Sequence, residues 1–239
     1  MTFGFLFRMH TVRGRKHGGR LVLVLVGVVA GGMIGPAAQE PGVVRGRVEI
    51  GIPVAARRPT TAYPTRSIPA PKLAPETERR NVIVYVRDAR PQNVTPIRAV
   101  IRQHDETFTP RVVAVTLGSE VDFPNDDPIY HNVFSLSRAK NFNLGRYPRG
   151  ETRRVRFDKP GVVKVFCEIH SHMSATVMVF DHPWFDVPDE AGRFQLPPVP
   201  PGDHQITAWH ERLGDTTVNV RLQSGRALET DFTLPVPEK

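Results

Sequence analysis

The chain has 239 residues, with 32 lysines and arginines against 24 acidic residues, nine histidines and a single cysteine. That length suits one or two domains of ordinary size, and one cysteine excludes an internal disulfide framework. The formal charge of +8 does not argue for nucleic-acid binding, because much of it sits in the first twenty residues.

Arg8, Arg13, Arg15, Lys16 and Arg20 precede an apolar run at 21–30, extended by 31–35 and followed by Pro36-Ala37-Ala38. A basic start, a short apolar centre and a small-residue exit describe a secretory signal peptide. The run is shorter than the roughly 20 residues that span a bilayer comfortably. Residues 1–38 are therefore expected to be an export signal, cleaved after Ala37 or Ala38, with an uncleaved anchor as the competing reading. No Arg-Arg pair precedes the run, so a twin-arginine route is not supported. Removing residues 1–37 leaves a net charge of +3. The expected location is periplasmic or secreted, with no nucleic-acid partner and no membrane span after cleavage.

Val43–Ile50 alternates well enough for a strand. Residues 53–80 carry six prolines among arginines and threonines, with no apolar period; they predict an extended, poorly ordered surface segment. Residues 81–86 (N-V-I-V-Y-V) predict a buried strand. Short strands are then expected at 99–102, near Phe108-Thr109-Pro110, and at 112–116, 120–123, 132–136, 152–157, 162–166 and 175–180. Turn residues separate them: Gly118, Asn125-Asp126-Asp127-Pro128, Gly150 and Pro160-Gly161. Strands about ten residues apart with such turns argue for a β-sandwich. No long helical period appears after the export signal.

Beyond Asp181 the pattern changes to Gly192-Arg193-Phe194-Gln195-Leu196, then Val199-Pro200-Pro201-Gly202 leading to Ile206, with further strands at 217–222 and 228–234. This tail resembles the carboxypeptidase regulatory-like, transthyretin-like sandwich, but has too few strands to close one. Residues 43–50 and 81–86 supply the missing strands. The expected organisation is a discontinuous domain, 39–98 plus 182–239, with a second sandwich, 99–181, inserted in it or joined to it. Trp209 is expected in the core, and His210 with Glu211 as a surface pair or an interface contact.

The chemistry concentrates in Phe166-Cys167-Glu168-Ile169-His170-Ser171-His172-Met173. It lies between two apolar, β-branched runs, so it reads as a loop between strands. A soft thiolate, imidazoles and a weak thioether form the donor set of a trigonal copper site, provided a further histidine joins from elsewhere; His131 is the candidate. A lone cysteine in an exported chain needs a chemical explanation, because such chains usually pair their cysteines. Taken singly, each residue also has a plain reading: Cys167 a small buried hydrophobe, Met173 and Met178 core filler, His131 a satisfied core histidine.

With Asn132-Val133-Phe134 after His131, the region from about 101 to 181 resembles a cupredoxin, and the loop spacing is similar to that of amicyanin and of plastocyanin-like proteins annotated near methylamine-utilisation genes. The resemblance implies one copper ion held by His131, Cys167, His170 and Met173, the last as axial thioether. It implies that Asn132 ties the two ligand-bearing segments together and hydrogen-bonds near the sulfur. His172 departs from the amicyanin pattern and leaves an alternative ligand open.

The fold class expected is all-β: a cupredoxin sandwich with a second Ig- or transthyretin-like sandwich. The function expected is one-electron transfer by a type 1 copper protein between transient redox partners. A copper carrier or sensor and a metal-free adhesive protein are the alternatives. No catalytic role is expected, since four protein donors leave no open position.

Overall fold

The computed structural model describes residues 39–51 and 78–234. The expected export signal and most of the proline-rich segment, 52–77, lie outside them. Among the described residues the protein is all-β, and no helix is long and apolar enough to cross a membrane.

The layers follow from which residues alternate. β7 (Glu120–Pro124) lies between β10 (Thr152–Arg156) and β3 (Arg98–Val100) in a three-stranded sheet. A five-stranded sheet runs in the order β6 (Val112–Thr116), β12 (Ser174–Phe180), β11 (Gly161–Phe166), β8 (His131–Leu136), β9 (Asn141–Tyr147). Val121, Phe123 and Val155 from the first sheet meet Val115, Val133, Val163, Val165 and Val177 from the second in one buried cluster. Burying each such side chain contributes about 1.5–3 kcal/mol.

β12 has no solvated face, which explains its largely apolar sequence SATVMVF, in which Thr176 is buried too. Ala175, Val177 and Val179 point into the cluster just described, whereas Met178 and Phe180 join Ile83 and Val112 in a separate one. Ile83 belongs to β2 (Val82–Val86), which pairs with β13 (Phe185–Asp186) and β15 (Gly202–His210); β15 pairs in turn with β16 (Gly214–Leu222). The other face of β2 carries Val82, Val84 and Val86 into a third cluster with Ile206, Ala208, Phe194, Phe232 and Val48.

That third cluster is covered by β1 (Val43–Ile50), flanked by β14 (Arg193–Gln195) on one side and by β17 (Ala227–Glu229) and β18 (Phe232–Leu234) on the other. The run 228–234, expected as one strand, is two. Thr230 and Asp231 break the ladder opposite Gly46: the Thr230 N–H donates to Arg45 O, and the Asp231 carboxylate accepts from the Arg47 N–H. Gly46 is required there, because a Cβ would drive into the Thr230 carbonyl. A small hairpin, β4 (Arg102–His104) with β5 (Thr107–Thr109), completes the strands.

Other expectations change. β9 was not foreseen, because N-F-N-L-G-R-Y mixes asparagine and glycine with its apolar residues. At the end of the proline-rich segment, Glu78 is buried, not on the surface; it accepts from His210 Nε2 at 3.0 Å and pairs with Arg212 at 2.7 Å. His210 is thus buried with Glu78 as partner, while Glu211 bonds Lys164 at 2.6 Å on β11. Trp209 is partly buried beneath the Lys164 ammonium.

Candidate metal centre

β8 and β11 are neighbours, with Phe134 opposite Phe166. That pairing places the start of β8, His131, beside Cys167, which follows the end of β11. The loop after β11 folds back on itself: the Cys167 N–H donates to the Met173 carbonyl at 3.4 Å, and the Met173 N–H donates to the His170 carbonyl at 3.0 Å. His170 is thereby turned over Cys167.

Three of the four residues singled out in the sequence converge. One donor atom each from His131, Cys167 and His170 lies within 4.8 Å of the others. The two Nδ1 atoms of the histidines stand 3.1 Å apart, and Cys167 Sγ is 3.9 Å from His170 Nδ1. His131 and Cys167 are buried and His170 is half-buried. Met173, fully buried, packs in the same cluster as Cys167. Asn132 is buried; its Oδ1 accepts from the Glu168 N–H at 3.3 Å and its Nδ2 donates to Asn143 at 2.8 Å, so it links β8 to the residue after the cysteine. His172 stays outside the group, its side chain 60% exposed and 3.5 Å from Glu106.

Asp127 is a participant the sequence did not reveal. The sequence places it in a turn; it is buried, with Oδ2 2.7 Å from His131 Nε2. Burial opposes its ionisation, yet the Glu106 N–H, the His131 imidazole and the Asp105 N–H together hold its carboxyl below the usual range. An ionised Asp127 requires the proton of the neutral imidazole to sit on Nε2. Nδ1 of His131 then carries a bare lone pair aimed at Nδ1 of His170. Two such atoms at 3.1 Å repel unless a proton or a cation joins them. The donor set beside them, one sulfur and two imidazole nitrogens, is that of a blue-copper centre. The residues present therefore fit a copper ion.

Tyr147 lies opposite His131 in the β8–β9 ladder and is buried in the cluster that holds Cys167 and Met173. Its hydroxyl accepts from Gln103 Nε2 at 2.6 Å and donates to the Phe123 carbonyl at 2.9 Å, and burial pushes its ionisation up. A second acidic group, His104 with Asp105 and Asp127, lies alongside, with His104 and Asp105 exposed.

No protein-family model matches the chain, and no curated protein matches it either. Solved structures do. A copper-containing nitrite reductase from Thermus scotoductus is 23% identical at a TM-score of 0.34, covering 38% of this chain and 25% of that one. A purple cupredoxin from Nitrosopumilus maritimus is 24% identical at 0.31, over 34% of this chain and 99% of that one. A reduced Cu(I) form of an amicyanin mutant is 16% identical at 0.34, over 41% of this chain and 98% of that one. The chain thus spans about a quarter of the nitrite reductase. The expectation that catalysis is excluded does not stand, because one of these similar structures is an enzyme.

Proposed function

We propose that the chain is an exported copper protein whose residues 99–181 hold one ion for one-electron transfer. The observation that carries this reading is the convergence of His131 Nδ1, His170 Nδ1 and Cys167 Sγ, brought from two segments 36 residues apart. His131, Cys167 and His170 would be the strong donors and Met173 the axial one. Copper bound there would supply exchange of a single electron between its two common oxidation states. The protein's part is to fix the donors: the β8–β11 pairing sets the His131–Cys167 separation, Asn132 anchors Glu168, and the loop's two internal hydrogen bonds hold His170. Ile169 and Ile129, both 39% exposed, and Tyr130 at 58% lie within two residues of the two histidines in sequence. A redox partner would dock on such a face, in a small and transient contact.

The partition into domains 39–98 plus 182–239 and 99–181 belongs to the same proposal. The pairing of β1 with β14, β17 and β18 supports it, as does that of β2 with β13 and β15. Absorption and EPR spectra of the copper-titrated chain test the site. An intense visible band with a narrow copper hyperfine splitting is expected; a colourless loaded protein would sink the reading.

A further inference from the structure

We propose that Asp127 is a positioning residue that orients His131, fixes its tautomer and strengthens it as a donor to copper. The inference rests on the reading of the site given above and deepens it.

The carboxylate is held independently of the histidine. Its Oδ1 accepts from the Asp105 N–H at 2.7 Å and its Oδ2 from the Glu106 N–H at 2.9 Å. Its own N–H donates to Asn125 Oδ1 at 3.0 Å. Asn125, fully buried, is itself fixed by donating to the Ile129 and Tyr147 carbonyls. The two amides come from the β4–β5 turn, where Asp105 and Glu106 hold φ values of 49° and 51°. That backbone region disfavours residues other than glycine and is adopted when the surroundings impose it. Here it turns two successive N–H groups onto one carboxylate.

Asp127 is thus anchored by contacts that do not involve His131, and the histidine ring meets a carboxylate already in place. A 2.7 Å contact is the length of a charge-assisted bond. It sets the ring's rotation, keeps hydrogen on Nε2 and leaves Nδ1 free to face Cys167 and His170. A carboxylate on the far nitrogen also raises the basicity of the near one, which favours the more highly charged metal state.

The test is made on the full mature chain loaded with copper, comparing the unaltered protein with Asp127→Asn and Asp127→Glu. Removing such a partner typically weakens metal binding about 10- to 100-fold. If the loss falls on Cu(II), the reduction potential of Asp127→Asn rises by about 60–120 mV, at 59 mV per tenfold. Asp127→Glu restores part of it. Nitrogen-resolved NMR of the Cu(I) form of the unaltered chain should find the His131 proton on Nε2, a readout that stands even if the variants fold poorly. A merely structural aspartate would lower the melting temperature and leave the potential unmoved. Folded Asp127→Asn with unchanged potential and Cu(II) affinity overturns the inference, as does an Nδ1 proton in the Cu(I) form. An unaltered chain that takes up no copper overturns the reading of the site itself, and the inference with it.

Discussion

The rings of His131 and His170 meet edge to face, centroids 4.9 Å apart, with their Nδ1 atoms turned toward each other. Nothing but a shared proton or an ion reconciles that pose with the Asp127 contact behind His131. Cys167 stands beside both. Cys167→Ala is expected to abolish the intense visible absorption of the copper-loaded chain, because that band needs a sulfur donor. Copper binding itself should weaken without vanishing, with the imidazoles left in place. Titration followed by absorption spectroscopy checks both points.

Met173 should act on the potential more than on the colour. Weak axial donors tune the potential of such centres. Met173→Leu keeps the apolar volume in a fully buried position and removes the sulfur. The expected outcome is a retained blue band with a higher reduction potential, read by voltammetry. A potential equal to that of the unaltered chain would remove Met173 from the ligand set.

Glu78 makes stability depend on pH in acid. Burial opposes its charge, but His210, Arg212 and Asn81 hold its carboxyl at about 2 against an ordinary 4.5. A depressed carboxylate contributes stability that is fully present above pH 4.5 and is lost as pH falls through about 2. At about 1.4 kcal/mol per pH unit, that gap bounds the contribution at roughly 3 kcal/mol. Denaturant unfolding between pH 5 and 2 should show the loss in the unaltered chain and a flatter profile in Glu78→Gln, which should also be less stable at pH 7. Equal slopes in the two proteins would contradict the assignment.

Gly46→Ala tests the closure of the outer sheet. The added methyl would meet the Thr230 carbonyl where β1 passes from β17 to β18. Overpacking of this kind costs about 1–3 kcal/mol or more. The melting temperature should fall while the copper spectrum of the folded fraction stays unchanged, since Gly46 lies in the sheet farthest in the stack from Cys167.

The apolar strands were legible because β-branched runs such as 112–116, 162–166 and 175–180 state their own burial. The convergence of Cys167 and His170 was legible because they are close in sequence, and that of His131 because His131-Asn132 stands where the cupredoxin resemblance implies a histidine. Asp127 was not. In Asn125-Asp126-Asp127-Pro128 three polar residues read as a solvated turn, and nothing local distinguishes the two that are buried, Asn125 and Asp127, from Asp126. Only the β4–β5 hairpin, which supplies its two backbone donors, makes the difference. Glu78 was hidden in the same way: a proline- and arginine-rich neighbourhood predicts exposure, whereas its partners lie 132 and 134 residues further along. β9 was lost because its polar alternation has no β-branched residue at all.

The burial of the four proposed ligands is lopsided. His131, Cys167 and Met173 are sealed, and Ser174, directly after the loop, already begins a strand gripped by two cores. An ion held there would therefore meet the half-open imidazole of His170 first on arrival and pass it on leaving. Access and escape would run past that one side chain, and the rate of metal exchange would follow how freely its ring can move.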